Sequence, residues 1–173
     1  MTPEAVNPQQ KLSLERKIQM HEAREGIIDR LAADLPTNID LERFLNVVVS
    51  EIGRMLHADR CDLLQIVGGK ELTISHEWRR HEKIPSSIGT VIPIDPQRLS
   101  DKFNVVEPIV INDISKTENS TLKFFAKALE TRSLLIIPIL FNGDVVALLG
   151  LHDTQQPREW LDEEVSFLRS IAR

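Results

Sequence analysis

The sequence predicts a mixed α/β (α+β) domain built on an antiparallel sheet, and three features carry that expectation. The apolar runs Ser133 to Phe141 and Val145 to Leu151 flank Asn142-Gly143-Asp144, whose first two residues readily take the positive backbone angles of a tight hairpin turn. A second pair of runs, Arg60 to Val67 and Glu71 to Trp78, is joined by Gly68-Gly69-Lys70, again a hairpin signal. Amphipathic helical patterns lie before the Arg60 to Trp78 pair and after the Ser133 to Leu151 pair.

Taken in chain order, residues 12–35 place Leu14, Ile18, Ile28 and Leu35 near heptad-type spacing, with His21 and Glu25 interrupting the seam. Such a seam suits a helix packed on its own domain or one that pairs with its copy in a dimer. Residues 1–35 are therefore read as an N-terminal signalling or dimerisation helix, and Pro36-Thr37-Asn38 divides it from the main domain, residues 36–173. Asp40 can accept from the free amides of the next helix, whose apolar stripe is Leu41, Phe44, Leu45, Val48, Ile52, Met55 and Leu56. Beyond the first hairpin, residues 79–103 lack a sustained period and contain Pro85, Pro93 and Pro96; long loops in compact domains are often functional. A short helix is expected from Leu122 to Glu130, with Leu122, Phe125, Ala126 and Leu129 on one side. After the last strand come Pro157, Trp160 and acidic residues 162–164, which open a helix with Leu161, Val165, Leu168 and Ala172 on its apolar side. Trp160 is expected to seal the domain beneath that helix.

Composition bounds the function. A chain of 173 residues, 42% apolar, can bury one good core, most simply as one domain with helical extensions. Lysine and arginine total 21 against 26 acids, so no basic face recommends a nucleic acid partner. The one cysteine, Cys61, excludes an internal disulfide, and no leader or eighteen-residue apolar run is present, so a cytoplasmic protein without membrane insertion is expected. Enzyme signatures are missing. Gly68-Gly69 stands alone and Lys70 precedes Glu71 rather than a hydroxyl residue, which argues against a phosphate-binding loop. His21, His57, His76, His81 and His152 are scattered without a metal-ligand pattern, so neither a metal site nor a catalytic set is assigned. Cys61 alternates with Leu63 in a strand, as a small core residue would; a redox enzyme would have to rest on it alone.

The run TRSLLIIPILFNGDVVALLGLHDTQQPREWLDEEVSFLR, residues 131–169, resembles the C-terminal half of a GAF domain. IDLERFLNVVVSEIGRMLHADRCDLLQIV is similar to the family's entry helix and first strand, with Ala58-Asp59-Arg60 at the junction. EPIVINDI, residues 107–114, resembles its short strand ending on an aspartate, here Asp113. The resemblance covers roughly residues 25–173 and implies a central antiparallel sheet, helices on one face and a loop-walled pocket on the other. It implies a small-molecule sensory domain of signalling proteins such as histidine kinases, response regulators and nucleotide cyclases. On that footing the candidate ligand-binding residues are Trp78 as a flat wall, Asp113, Arg132 and His152. Each has a structural alternative: Trp78 as packing, Asp113 as a turn cap, Arg132 as the partner of Asp113 or Glu130, and His152 as a solvent-facing strand end. Bilin-binding members attach pigment through a cysteine usually next to a histidine, which Cys61 lacks, and members that reduce methionine sulfoxide need several cysteines. Asn119, Lys123, Phe124 and Phe125 are only a vague echo of the cyclic-nucleotide set. The expectation is a homodimeric regulatory domain of two-component type. Its ligand is undefined, and terminal helices would pass its state to a covalently linked output domain. The alternative is a ligand-free dimerisation module.

Overall fold

The computed structural model describes residues 40–93 and 107–172, with Glu15, Ile18, Gln19, Glu22, Glu25 and Gly26 helical ahead of them. Most of the expected N-terminal seam, including Leu14, Ile28 and Leu35, lies outside the described residues. So does the part of the proline-rich stretch from 94 to 106.

Helix α1 (Leu41–Met55) is followed by β1 (Arg60–Val67), β2 (Glu71–Arg79), β3 (Val91–Pro93) and β4 (Ile109–Ile111). A single 3-10 turn, Ile114–Lys116, leads to α2 (Ser120–Ala128), β5 (Ser133–Phe141), β6 (Asp144–Asp153) and α3 (Asp162–Ile171). The strands form one six-stranded sheet in the order β3-β2-β1-β6-β5-β4, every adjacent pair antiparallel. Both expected hairpins are present. Asn142 and Gly143 have φ of 53° and 90°, and Gly68 and Gly69 have 58° and 67°, the left-handed values that tight turns require. Strand β3 falls inside the stretch read as irregular, because three residues are too few to show a period.

One face of the sheet holds the main core. Asp40 caps α1 by accepting from Arg43 N at 3.2 Å. Val49, Ile52 and Leu56 of its stripe then meet Cys61, Leu63, Leu135, Ile137, Leu149 and Leu151. Leu41 stays exposed, so the buried stripe begins a turn later than the sequence pattern does. Helix α3 covers the same face through Phe167, Leu168 and Ala172, with Glu164 Oε2 reaching back 2.9 Å to Leu161 N. Trp160 is buried beneath it, and the Arg158 guanidinium lies 4.2 Å from its ring centroid.

The other face is walled by a helix as well as loops. Asn119 Oδ1 caps α2 by accepting from Leu122 N at 3.0 Å, so the helix starts ahead of the expected Leu122. Its Ala126 and Leu122 pack with Ile114, Leu134 and Ile136.

A register shift in β2 decides what each face receives. Leu64 pairs with Ile74 but Leu63 pairs with His76, which leaves Ser75 as an extra residue. The alternation of side chains therefore reverses at Ser75. Leu72 and Ile74 pack beside Leu64 on the second face, whereas Trp78 packs against the main core beside α1.

Candidate ligand-binding site

Between the second face and α2 lies a cavity of about 50 Å³. Leu64, Ile74, Leu134 and Ile136 form its strand wall, and Leu122, Phe125 and Leu129 its helix wall. Asp62, Thr131, Gly150 and His152 complete the lining, so an apolar space ends on polar groups.

Those groups are fixed by strand geometry. Arg60 and Asp62 are two residues apart on β1, so their side chains leave one face. Strand β1 lies between β2 and β6, away from either sheet edge, and both residues are fully buried. Buried charges need partners, and Arg60 has several. Its Nη1 donates to the carbonyls of Pro85 and Leu129 at 3.1 and 3.2 Å. Its Nη2 donates to Thr131 Oγ1 at 2.9 Å and to His152 Nδ1 at 3.2 Å. Its Nε lies 3.6 Å from Asp62 Oδ2. Burial pushes the Arg60 pKa down from its usual value, and the Asp62 carboxylate opposes that. Asp62 Oδ2 is 3.1 Å from Ser87 Oγ, which is also 2.6 Å from Glu77 Oε1. One hydroxyl hydrogen cannot serve both carboxylates at full strength.

The same contacts assign the His152 tautomer. Nδ1 faces two donors, Arg60 Nη2 and Thr131 Oγ1, the latter at 3.2 Å and already accepting from Arg60. Nδ1 is therefore the acceptor and Nε2 carries the hydrogen. Nε2 lies 3.0 Å from Asp62 Oδ2 but out of line for a hydrogen bond, and it has no hydrogen-bond partner among the described residues. Asp62 Oδ1 has none either. Both atoms border Gly150, the register partner of Asp62: a Cβ there would stand 2.3 Å from Asp62 Oδ1 and 3.0 Å from His152 Nε2.

The residues singled out from sequence are dispersed over three places. His152 lines the cavity and is 8% exposed. Asp113 and Arg132 share an open groove on the outer side of α2 with Lys123, Lys127 and Glu130. There Asp113 caps the 3-10 turn, accepting from Ser115 Oγ at 2.6 Å and Ser115 N at 3.0 Å, and these bonds hold its pKa below the usual carboxylate value. Trp78 is on the α1 face, against Gly53, where an added Cβ would stand 2.2 Å from the ring. Cys61 is fully buried on that face too, and burial raises its thiol pKa well above the ordinary value. Sequence reading passed over Arg60, Asp62, Ser87 and Thr131. The available signal was a pair of opposite charges, two apart, in a strand otherwise fit for the core.

The GAF domain family profile matches residues 40–173. The chain belongs to the GAF domain family. Among curated proteins, this GAF domain is similar to the circadian input-output histidine kinase CikA of Thermosynechococcus vestitus, 27% identical over 166 residues, covering 88% of this chain. CikA of Synechococcus elongatus is 25% identical over 181 residues, covering 92% of it. The chain spans 22% and 24% of the lengths of these relatives. Among solved structures, the phycocyanobilin-bound GAF domain of a cyanobacterial phytochrome superposes with a TM-score of 0.74 at 17% identity, covering 86% of this chain and 89% of that one. The likeness shows the fold. The described part of the cavity measures about 50 Å³. Cys61, the sole cysteine, faces away from it.

Proposed function

We propose that this GAF domain is the small-molecule sensory unit of a cytoplasmic signal-transduction protein of the two-component type, acting by binding rather than catalysis. The observation that carries the reading is the cavity under α2, where an apolar lining meets two buried polar atoms, Asp62 Oδ1 and His152 Nε2, that have no hydrogen-bond partner among the described residues. A native fold rarely leaves such atoms unmatched without a functional reason. A ligand seated there would stabilise one arrangement of α2 and the loops around it over another, in proportion to its preference for that arrangement. Its similarity to CikA histidine kinases, of which it spans under a quarter, supports a covalently linked output domain. The heptad-type spacing of residues 12–35 supports a homodimer in which terminal helices carry the signal, and the exposure of Ile18, one seam residue, agrees with a surface left for a partner. Methyl-group NMR on the purified protein tests the cavity. Xenon, a single apolar atom, should shift the methyl signals of Leu64, Ile74, Leu122 and Leu134 to saturation, and Ala126→Leu, which takes up the space, should abolish the effect. If no probe reaches those methyls, the domain is instead a ligand-free dimerisation module.

A further inference from the structure

On the outer side of α2, away from the cavity, an open groove of about 770 Å³ lies between that helix and the loop after β6. Ligand pockets commonly measure roughly 300–1,000 Å³. Three cations front the groove: Lys123 and Lys127 from α2, and Arg132 from just ahead of β5. All three are exposed, and none has an ion-pair or side-chain hydrogen-bond partner among the described residues. Of the two carboxylates in the groove, Asp113 is matched by Ser115 Oγ at 2.6 Å and by Lys116 Nζ at 3.4 Å. That leaves Glu130 against three cations, an excess of two positive charges in a chain whose formal charge is −5.

The placement of these cations works against the helix that carries them. Lys123 and Lys127 stand one turn apart, and like charges at that spacing repel. Three and four positions from Lys123 the chain has Asn119, Ser120, Ala126 and Lys127, so no acid on α2 relieves it. The helix dipole favours a cation in the last turn, which accounts for Lys127; Lys123 is the fourth residue of α2, nearer the end where the dipole opposes one. Arg132 is fixed through its backbone, its N donating to Asp153 O at 2.7 Å and its O accepting from Ile114 N at 2.8 Å. Its side chain therefore starts from a set point in the groove wall.

We propose that this groove is a second ligand site, for a small polyanion whose phosphate or carboxylate groups are shared between the two lysines and Arg132. Arg132 offers a planar fork to two anionic oxygens, and the lysines offer point charges. The ligand carries at least two negative charges because the groove's excess is two, and a single charge would leave the repulsion along α2 only partly relieved. Since the inner side of α2 walls the cavity, an anion held on its outer side favours one position of that wall.

Amide NMR on the intact chain at constant ionic strength tests the site, with pyrophosphate and citrate titrated separately and chloride as the screening control. Saturable shifts are expected at Ser115, Lys123, Lys127 and Arg132 with at least one polyanion, and the one that saturates assigns the anionic group; chloride should give none. In Lys123→Gln/Lys127→Gln, changes at exposed positions, affinity should fall about tenfold or more. Lys70→Gln/Lys83→Gln removes the same charge from exposed positions elsewhere and should leave affinity within about twofold. Absence of saturation with both polyanions, the same shifts with chloride, or an equal loss in the two double variants overturns the proposal and makes these cations a solvated face. The xenon measurement reads the cavity independently, so failure here leaves the sensory reading standing.

Discussion

Arg60 shows how one residue can organise a candidate site without lining its cavity. Its guanidinium closes a fully buried network with Thr131, His152 and two carbonyls and balances Asp62. Arg60→Met keeps much of the volume but leaves the Asp62 charge uncompensated, and loss of one member of a buried pair costs about 3–5 kcal/mol. Urea denaturation should register a destabilisation of that order, with Asp62→Asn/Arg60→Met less affected than the single Arg60 change. An unperturbed midpoint in the single variant would mean that the network adds little. Cys61 provides a second test. Its thiol is fully buried and its pKa is raised well above the ordinary value, so the reactive thiolate is scarce in the native state. Labelling with a disulfide reagent near pH 8 should therefore follow unfolding and be nearly silent in the native protein. Rapid native labelling would reopen the redox reading of this residue.

At the level of elements, the hairpins and the bulge do different work. The β5–β6 turn needs positive φ at Asn142 and Gly143, and the open space around Gly143 means that conformation, not crowding, restricts the position. Gly143→Val should cost on the order of 1 kcal/mol or more, read as a lowered thermal midpoint, because a β-branched residue tolerates that backbone badly. Gly143→Asn, which accepts left-handed backbone more easily, should cost less. Ser75 acts on direction instead. By reversing the alternation of β2 it sends Ile74 to the cavity and Trp78 to α1, where the ring occupies the space opposite Gly53.

For the whole molecule, the sheet divides labour between its faces. The α1–α3 face holds most of the buried apolar residues and gives stability, while the α2 face keeps a small cavity and the buried charges. In the proposed dimer, the helical seam of residues 12–35 joins two such domains so that a shift in one helix changes the register offered to the next domain. Ile28→Glu places a charge in that seam and should shift the protein toward monomer without unfolding the sheet. Light scattering beside circular dichroism checks it. A wild type that is monomeric at high micromolar concentration, or a variant that stays dimeric, would assign the helix to its own domain.

By itself the sequence determined the antiparallel sheet, both hairpins, α1, α3 and the structural place of Trp160, since these depend on short-range signals: turn residues with positive φ, caps, and the period of apolar positions. It also made the family legible, through three segments in order. Only the tertiary structure decided the site. Arg60 and Asp62 read locally as polar interruptions of a strand, and their burial follows from β1 being paired on both sides and covered by α2 and the loops near Pro85 and Leu129. Trp78 and His152, both near strand ends, look equivalent in sequence. An extra residue at Ser75 puts one on the helix face, and pairing of β6 with β1 puts the other beside Asp62, because a side chain's face is set by the register of its partners as much as by its own position.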